Sequence, residues 1–188
     1  ELKSALAKQQ SARIGHVEET IAMLKDHGIQ LSFAQIERIA GAGSIGRPHI
    51  TQAIVDAGGA ADVNEAYQKF MTRGSPYYVC RKSIDPASAV RAITAAGGIA
   101  SIAHPGKSDE IERIILHLKA QGLAAVEAYH RRHSVSVVQH YIRFANRHGL
   151  AVTGGSDCHG PFAEFPPSIG TISVPYEVAE RLRKLKNG

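Results

Sequence analysis

At 188 residues the chain can bury one sizeable core, with room for a small second subdomain. Its 44% hydrophobic and 21% charged content is that of a globular protein, and no apolar run nears the roughly 20 residues that a membrane-spanning helix needs. A net charge of +5 favours an anionic partner, while 6% aromatic content and the lack of Trp argue against an extended base-stacking platform.

The opening Glu1-Leu-Lys-Ser-Ala-Leu-Ala-Lys is polar and helix-like, unlike a signal peptide. The chain lacks an initiator Met, which points to processing or to a longer protein. Two cysteines, Cys80 and Cys158, make no disulfide framework, so a cytoplasmic location is the expectation.

From residue 1 to about 73 the pattern is helical. Ile14, Val17, Ile21 and Leu24 set a spacing of three to four over 12–27, closed by Gly28. Ser32 caps a second helix that ends at the Gly41–Gly43 turn, and Pro48 suits the first turn of a third over 48–57. Asp62 caps a fourth that runs to Phe70. Near residue 75 the pattern changes to alternating strand and helix. Strands are expected at 77–80, 99–103, 124–129, 150–153 and 170–174, and helices over 85–96, 108–120 and 134–148 and after Pro175. This alternation implies an α/β fold with a parallel sheet. So few strands mean either an open sheet or a barrel whose earlier strands are missing.

Polar clusters stand at the C-terminal ends of three successive strands: His104-Pro-Gly, Glu127 through His133, and Asp157-Cys-His159. In parallel α/β folds those ends gather into one active face. Asp157 and His159, two apart after a buried strand, project to one side and suit a divalent transition metal. His104 joins them as a candidate ligand. Glu127 is a ligand, a group that orients a histidine, or a salt-bridge partner. His130 and His133 with Arg131 and Arg132 read as an anion clamp, His133 being preferred because it precedes a helix N-terminus. Gly46-Arg47-Pro48-His49 has the composition of a phosphate site, and Arg73, Arg81 and Lys82 flank the change of pattern. His16, His27, His117, His140 and His148 read as surface or structural, and Cys158 as packing.

These motifs resemble the PHP (polymerase and histidinol phosphatase) family of metal-dependent phosphoesterases, in its bacterial branch of nucleotide phosphoesterases and a 5′-to-3′ exoribonuclease. The resemblance rests on Ile102-Ala-His104-Pro-Gly, Val126-Glu-Ala-Tyr-His130-x-x-His133-Ser and Thr153-Gly-Gly-Ser-Asp157-x-His159-Gly. It implies a distorted seven-stranded (β/α) barrel, with residues 1–75 as a helical insert or cap and 76–188 as the barrel's C-terminal part. It implies two or three metals, Mn²⁺, Fe²⁺ or Zn²⁺, with His104, Asp157 and His159 as ligands and Arg47, His49 and His133 at the substrate phosphate. The implied reaction is hydrolysis of nucleotide or short oligonucleotide esters by a metal-activated hydroxide. The family's opening His-x-His and the ligands that follow it are not in this chain. A preceding segment is therefore the expected partner, and the rival reading is a non-catalytic phosphate- or nucleotide-binding module. A second rival is a metal hydrolase of the amidohydrolase type.

Overall fold

In the computed structural model, which describes residues 2–158 and 169–187, the chain divides into two compact units. One is Leu6–Ser83, which is helical; the other contains Ile84–Cys158 and the C-terminal helix and carries the sheet. The division falls at 83/84, beyond the change of pattern near residue 75.

In the helical unit α1 spans Leu2–Asp26, starting well before its apolar stripe does. Its Ala-, Lys- and Gln-rich first turns are strong helix formers without any stripe. The second helix, α2 (Phe33–Ala40), opens on a reciprocal cap: Gln35 N–H donates to Ser32 Oγ at 3.3 Å, and Ser32 N–H donates to Gln35 Oε1 at 2.7 Å. Pro48 lies in the first turn of α3 (Arg47–Asp56), where its missing N–H costs nothing. Asp62 caps α4 (Val63–Ala66), which widens into a π-turn over Tyr67–Met71. Val17, Leu24, Ile36, Ile50, Ile54 and Phe70 form the core of this unit.

The expected strand at 77–80 does not form. Tyr78 N–H closes a turn on Ser75 O at 3.1 Å, and the Tyr77 ring packs at 5.3 Å from Phe70 and 4.6 Å from His27. Burial of that ring against helices outweighs the β-propensity of Tyr-Tyr-Val.

The second unit runs α5 (Pro86–Ala95), β1 (Ala100–Ile102), α6 (Asp109–Lys119), β2 (Leu123–His130), α7 (Val135–His148), β3 (Ala151–Gly155) and α8 (Tyr176–Asn187). Each of α5, α6 and α7 starts at the expected cap: Asp85, Ser108 and Ser134 accept from backbone N–H groups of the first turn. The sheet is parallel, in the order β1-β2-β3. Among the described residues three strands form, fewer than expected. The stretch 170–174 forms turns and bends, so the strand expected there is also absent.

One face of the sheet carries Ile102, Val126 and Val152 into a core with Ile115, Leu118, Tyr141 and Phe144 from the helices. The other face carries Ser101, Ala125, Glu127 and Thr153. There the Ser101 and Thr153 hydroxyls meet at 2.9 Å from the two outer strands. Strand spacing is about 4.8 Å, so a flat sheet would hold them farther apart. The sheet curls over this polar face.

Candidate active site

Parallel pairing brings three strand ends to one edge of the sheet, with Ile102 beside Val126 and His130 beside Gly155. A register shift between Glu127 and Tyr129 bends β2 just before its end. At that shift the strands nearly touch: a Cβ built on Gly154 would lie 2.4 Å from Tyr129 Cβ. Only glycine permits the approach.

The residues after the outer strands hold unusual backbone conformations. His104 (φ 28°) and Asp157 (φ 52°) are the non-glycine residues with positive φ among those described. Asp tolerates this region better than most residues, whereas His at 28° is strained. The His104 N–H donates to Glu127 Oε2 at 2.6 Å, which pins the strained turn to β2. Glu127, whose role was open from sequence, thus orients the backbone that carries His104.

His130 ends β2 with 3% exposure, its ring 5.4 Å from that of His104 and 5.3 Å from that of His133. Its Nδ1 accepts from Arg132 N–H at 3.3 Å, so in the neutral ring the proton sits on Nε2. Nε2 lies 3.6 Å from Asp157 Oδ2, facing the carboxylate but beyond a hydrogen bond. Burial lowers the His130 pKa, with the charges of Glu127 and Asp157 opposing it.

His133 has the opposite tautomer. Its Nδ1–H donates to Ala128 O at 2.8 Å, leaving a lone pair on Nε2. Both Nε2 atoms are buried with no hydrogen-bond partner among the described residues. Neighbouring imidazoles thus present a proton donor toward Asp157 and an unused acceptor.

His133 stacks at 5.9 Å on Tyr141, whose hydroxyl is buried and unpartnered. Burial, then the charge of Glu112, pushes its pKa up to about 12. The folded value lies above the ordinary 10, so the contribution of the neutral phenol to stability is intact below pH 10. It is lost as the pH rises toward 12. Removing an unsatisfied buried hydroxyl relieves a desolvation penalty. The Tyr141→Phe protein should therefore melt no lower than the parent, with a gain of about 1 kcal/mol. A clear fall in its urea midpoint would show that the hydroxyl has a partner.

Sequence reasoning ranked His133 above His130, yet His130 is the residue that faces Asp157. The signal was its place as the last residue of a buried strand, but the register shift that aims it is not visible in the sequence. His159 lies outside the described residues. Among the described residues no group of three or more His, Cys, Asp or Glu side chains is gathered as a metal site. In kind, imidazoles with unsatisfied buried nitrogens beside a carboxylate suit Mn²⁺, Fe²⁺ or Zn²⁺.

Arg47 and His49 belong to the helical unit. The Arg47 guanidinium donates to the hydroxyls of Tyr67 and Tyr78, each at 3.4 Å. His49 Nδ1 accepts from Gly46 N–H at 3.0 Å and completes the first turn of α3. No described helix is long and apolar enough to cross a membrane.

A parallel sheet with histidines and a carboxylate gathered at its C-terminal edge is the arrangement of an α/β hydrolase site. No family model matches the chain. It is 38% identical over 121 residues to a 3′,5′-nucleoside bisphosphate phosphatase of Chromobacterium violaceum, covering 62% of this chain and 42% of that protein. It is 26% identical over 160 residues to the 5′-3′ exoribonuclease Rnm of Escherichia coli, covering 83% of this chain and 55% of the relative. A solved structure from Bifidobacterium adolescentis, described as a candidate metal-dependent phosphoesterase, superposes with a TM-score of 0.80 at 27% identity, over 95% of this chain and 64% of that one. The chain belongs to the PHP family of phosphoesterases. It spans about half the length of the curated relatives that it matches.

Proposed function

We propose that the protein is a metal-dependent phosphoesterase acting on nucleotides or short oligonucleotides. The observation that carries this reading is the strand-end cluster, with His104 and Asp157 held at positive φ around a buried His130. The names of the relatives, a nucleoside bisphosphate phosphatase and an exoribonuclease, support the substrate class. The Ser101–Thr153 contact across the curled sheet supports a segment of a barrel. On this reading residues 1–75 form the insert and 76–188 the C-terminal barrel segment, with further ligands supplied from outside these 188 residues.

His104, Asp157 and His159 would hold the metal. A divalent metal there supplies Lewis acidity toward water and the phosphoryl oxygens. Glu127 keeps His104 in place through its backbone N–H. His130 directs its Nε2 proton at Asp157 and holds the carboxylate orientation. His133, anchored on Ala128 O, offers Nε2; once protonated there, it donates to a phosphoryl or leaving oxygen. Arg47, His49 and His133 would contact substrate phosphate.

The test is to incubate the full-length protein with Mn²⁺ and adenosine 3′,5′-bisphosphate or a 5′-phosphorylated oligoribonucleotide. Release of phosphate or mononucleotide is expected, lost on chelation and restored by added metal. Metal-loaded protein that binds these compounds without turnover would replace this reading with a binding module.

A further inference from the structure

The helical unit contains a cavity of about 940 Å³. Its described lining includes Arg13, Arg47, Arg73 and Arg81, and no Asp or Glu. Like charges facing one space repel unless an anion or solvent screens them. The Nε atoms of Arg13 and Arg81 are buried with no hydrogen-bond partner among the described residues. Buried N–H groups are nearly always paired, so these two mark where an acceptor belongs.

Arg47 is set in place beforehand. Tyr67 and Tyr78 accept from its two terminal nitrogens, and its guanidinium carbon lies 5.9 Å from the centre of the Tyr78 ring. Tyr67 opens the π-turn, a local widening often found at functional sites. His16, across the same cavity, is kept neutral first by burial and then by the charge of Arg81, with Arg47 adding to it. The remaining walls, among them Val17, Ile45 and Ile50, are apolar and keep the field of the guanidiniums strong.

We infer that the helical unit carries its own binding site for a multiply charged phosphate compound, gripped by Arg13, Arg73 and Arg81 beside an Arg47 clamped by two tyrosines. Each guanidinium presents a planar fork that matches phosphate oxygens. Four of them exceed what one phosphate monoester needs, so the fitting ligand carries two phosphates. The site rests on the phosphoesterase reading only in making this anion part of the substrate.

Binding separates from turnover, so the test uses metal-free protein and inorganic pyrophosphate, followed by titration calorimetry. One site is expected, with affinity at least tenfold above that for inorganic phosphate and falling steeply with salt. Arg81→Gln and Arg73→Gln should each weaken pyrophosphate at least tenfold. Arg73 is exposed, so its variant reads the site even if Arg81→Gln fails to fold. The site is refuted if the parent protein does not bind at low salt or if Arg73→Gln binds unchanged. It is also refuted if His133→Ala, rather than the arginine variants, removes binding. Failed binding with hydrolysis intact rejects this site alone, and intact binding without hydrolysis rejects the phosphoesterase reading alone.

Discussion

The Asp157→Asn protein is expected to lose about 10³-fold in kcat toward a nucleoside bisphosphate while melting at nearly the parent temperature. Asn is isosteric with Asp and among the residues that accept positive φ most readily, so the 52° conformation survives the exchange. What changes is charge. The amide is a poor metal ligand beside a carboxylate, and His130 Nε2 loses the anion 3.6 Å away. The loss should therefore fall on kcat rather than on stability. Alanine at the same place would mix lost chemistry with backbone strain. Parent-like turnover in Asp157→Asn would remove Asp157 from the metal site and the strand-end cluster from catalysis.

The second large effect is structural. Gly154→Ala should destabilise the protein by about 3 kcal/mol, the upper part of the usual range for overpacking. The new Cβ would sit 2.4 Å from Tyr129 Cβ, 2.7 Å from Tyr129 O and 3.0 Å from Val174 Cγ2. The first two are fixed to the backbone of β2 and cannot rotate away. Relief requires β2 and β3 to part at the register shift, next to His130 and Asp157. A fall in melting temperature of roughly 6–12 °C is expected for a chain of this size. Activity should fall with it even below the melting range, because the same parting moves the strand ends. A change under about 1 kcal/mol would show that the strands approach less closely than 2.4 Å implies.

Helix boundaries were legible because their causes are local. Ser32, Asp62, Asp85, Ser108 and Ser134 cap the helices they were expected to cap, since a side-chain oxygen reaching an N–H three residues on needs no distant partner. The central strands were equally clear, as apolar runs between glycines. The outer ones were not: a strand exists only where another edge pairs with it, and Tyr77 found a helical core instead.

The chemistry divides the same way. Sequence alone determined that His104, Glu127, His130 and Asp157 stand at the ends of successive parallel strands, because strand period and crossover topology place them there. Only tertiary structure decided what each does: Glu127 binds a backbone N–H, His130 rather than His133 faces Asp157, and the two imidazoles hold opposite tautomers. The cavity arginines come from α1, α3 and the loop beyond the π-turn, and no spacing in the sequence relates them. Caps and periods act over a few residues of one chain segment. Register shifts, tautomers and shared cavities depend on atoms brought close by packing, and those contacts are set by the whole core.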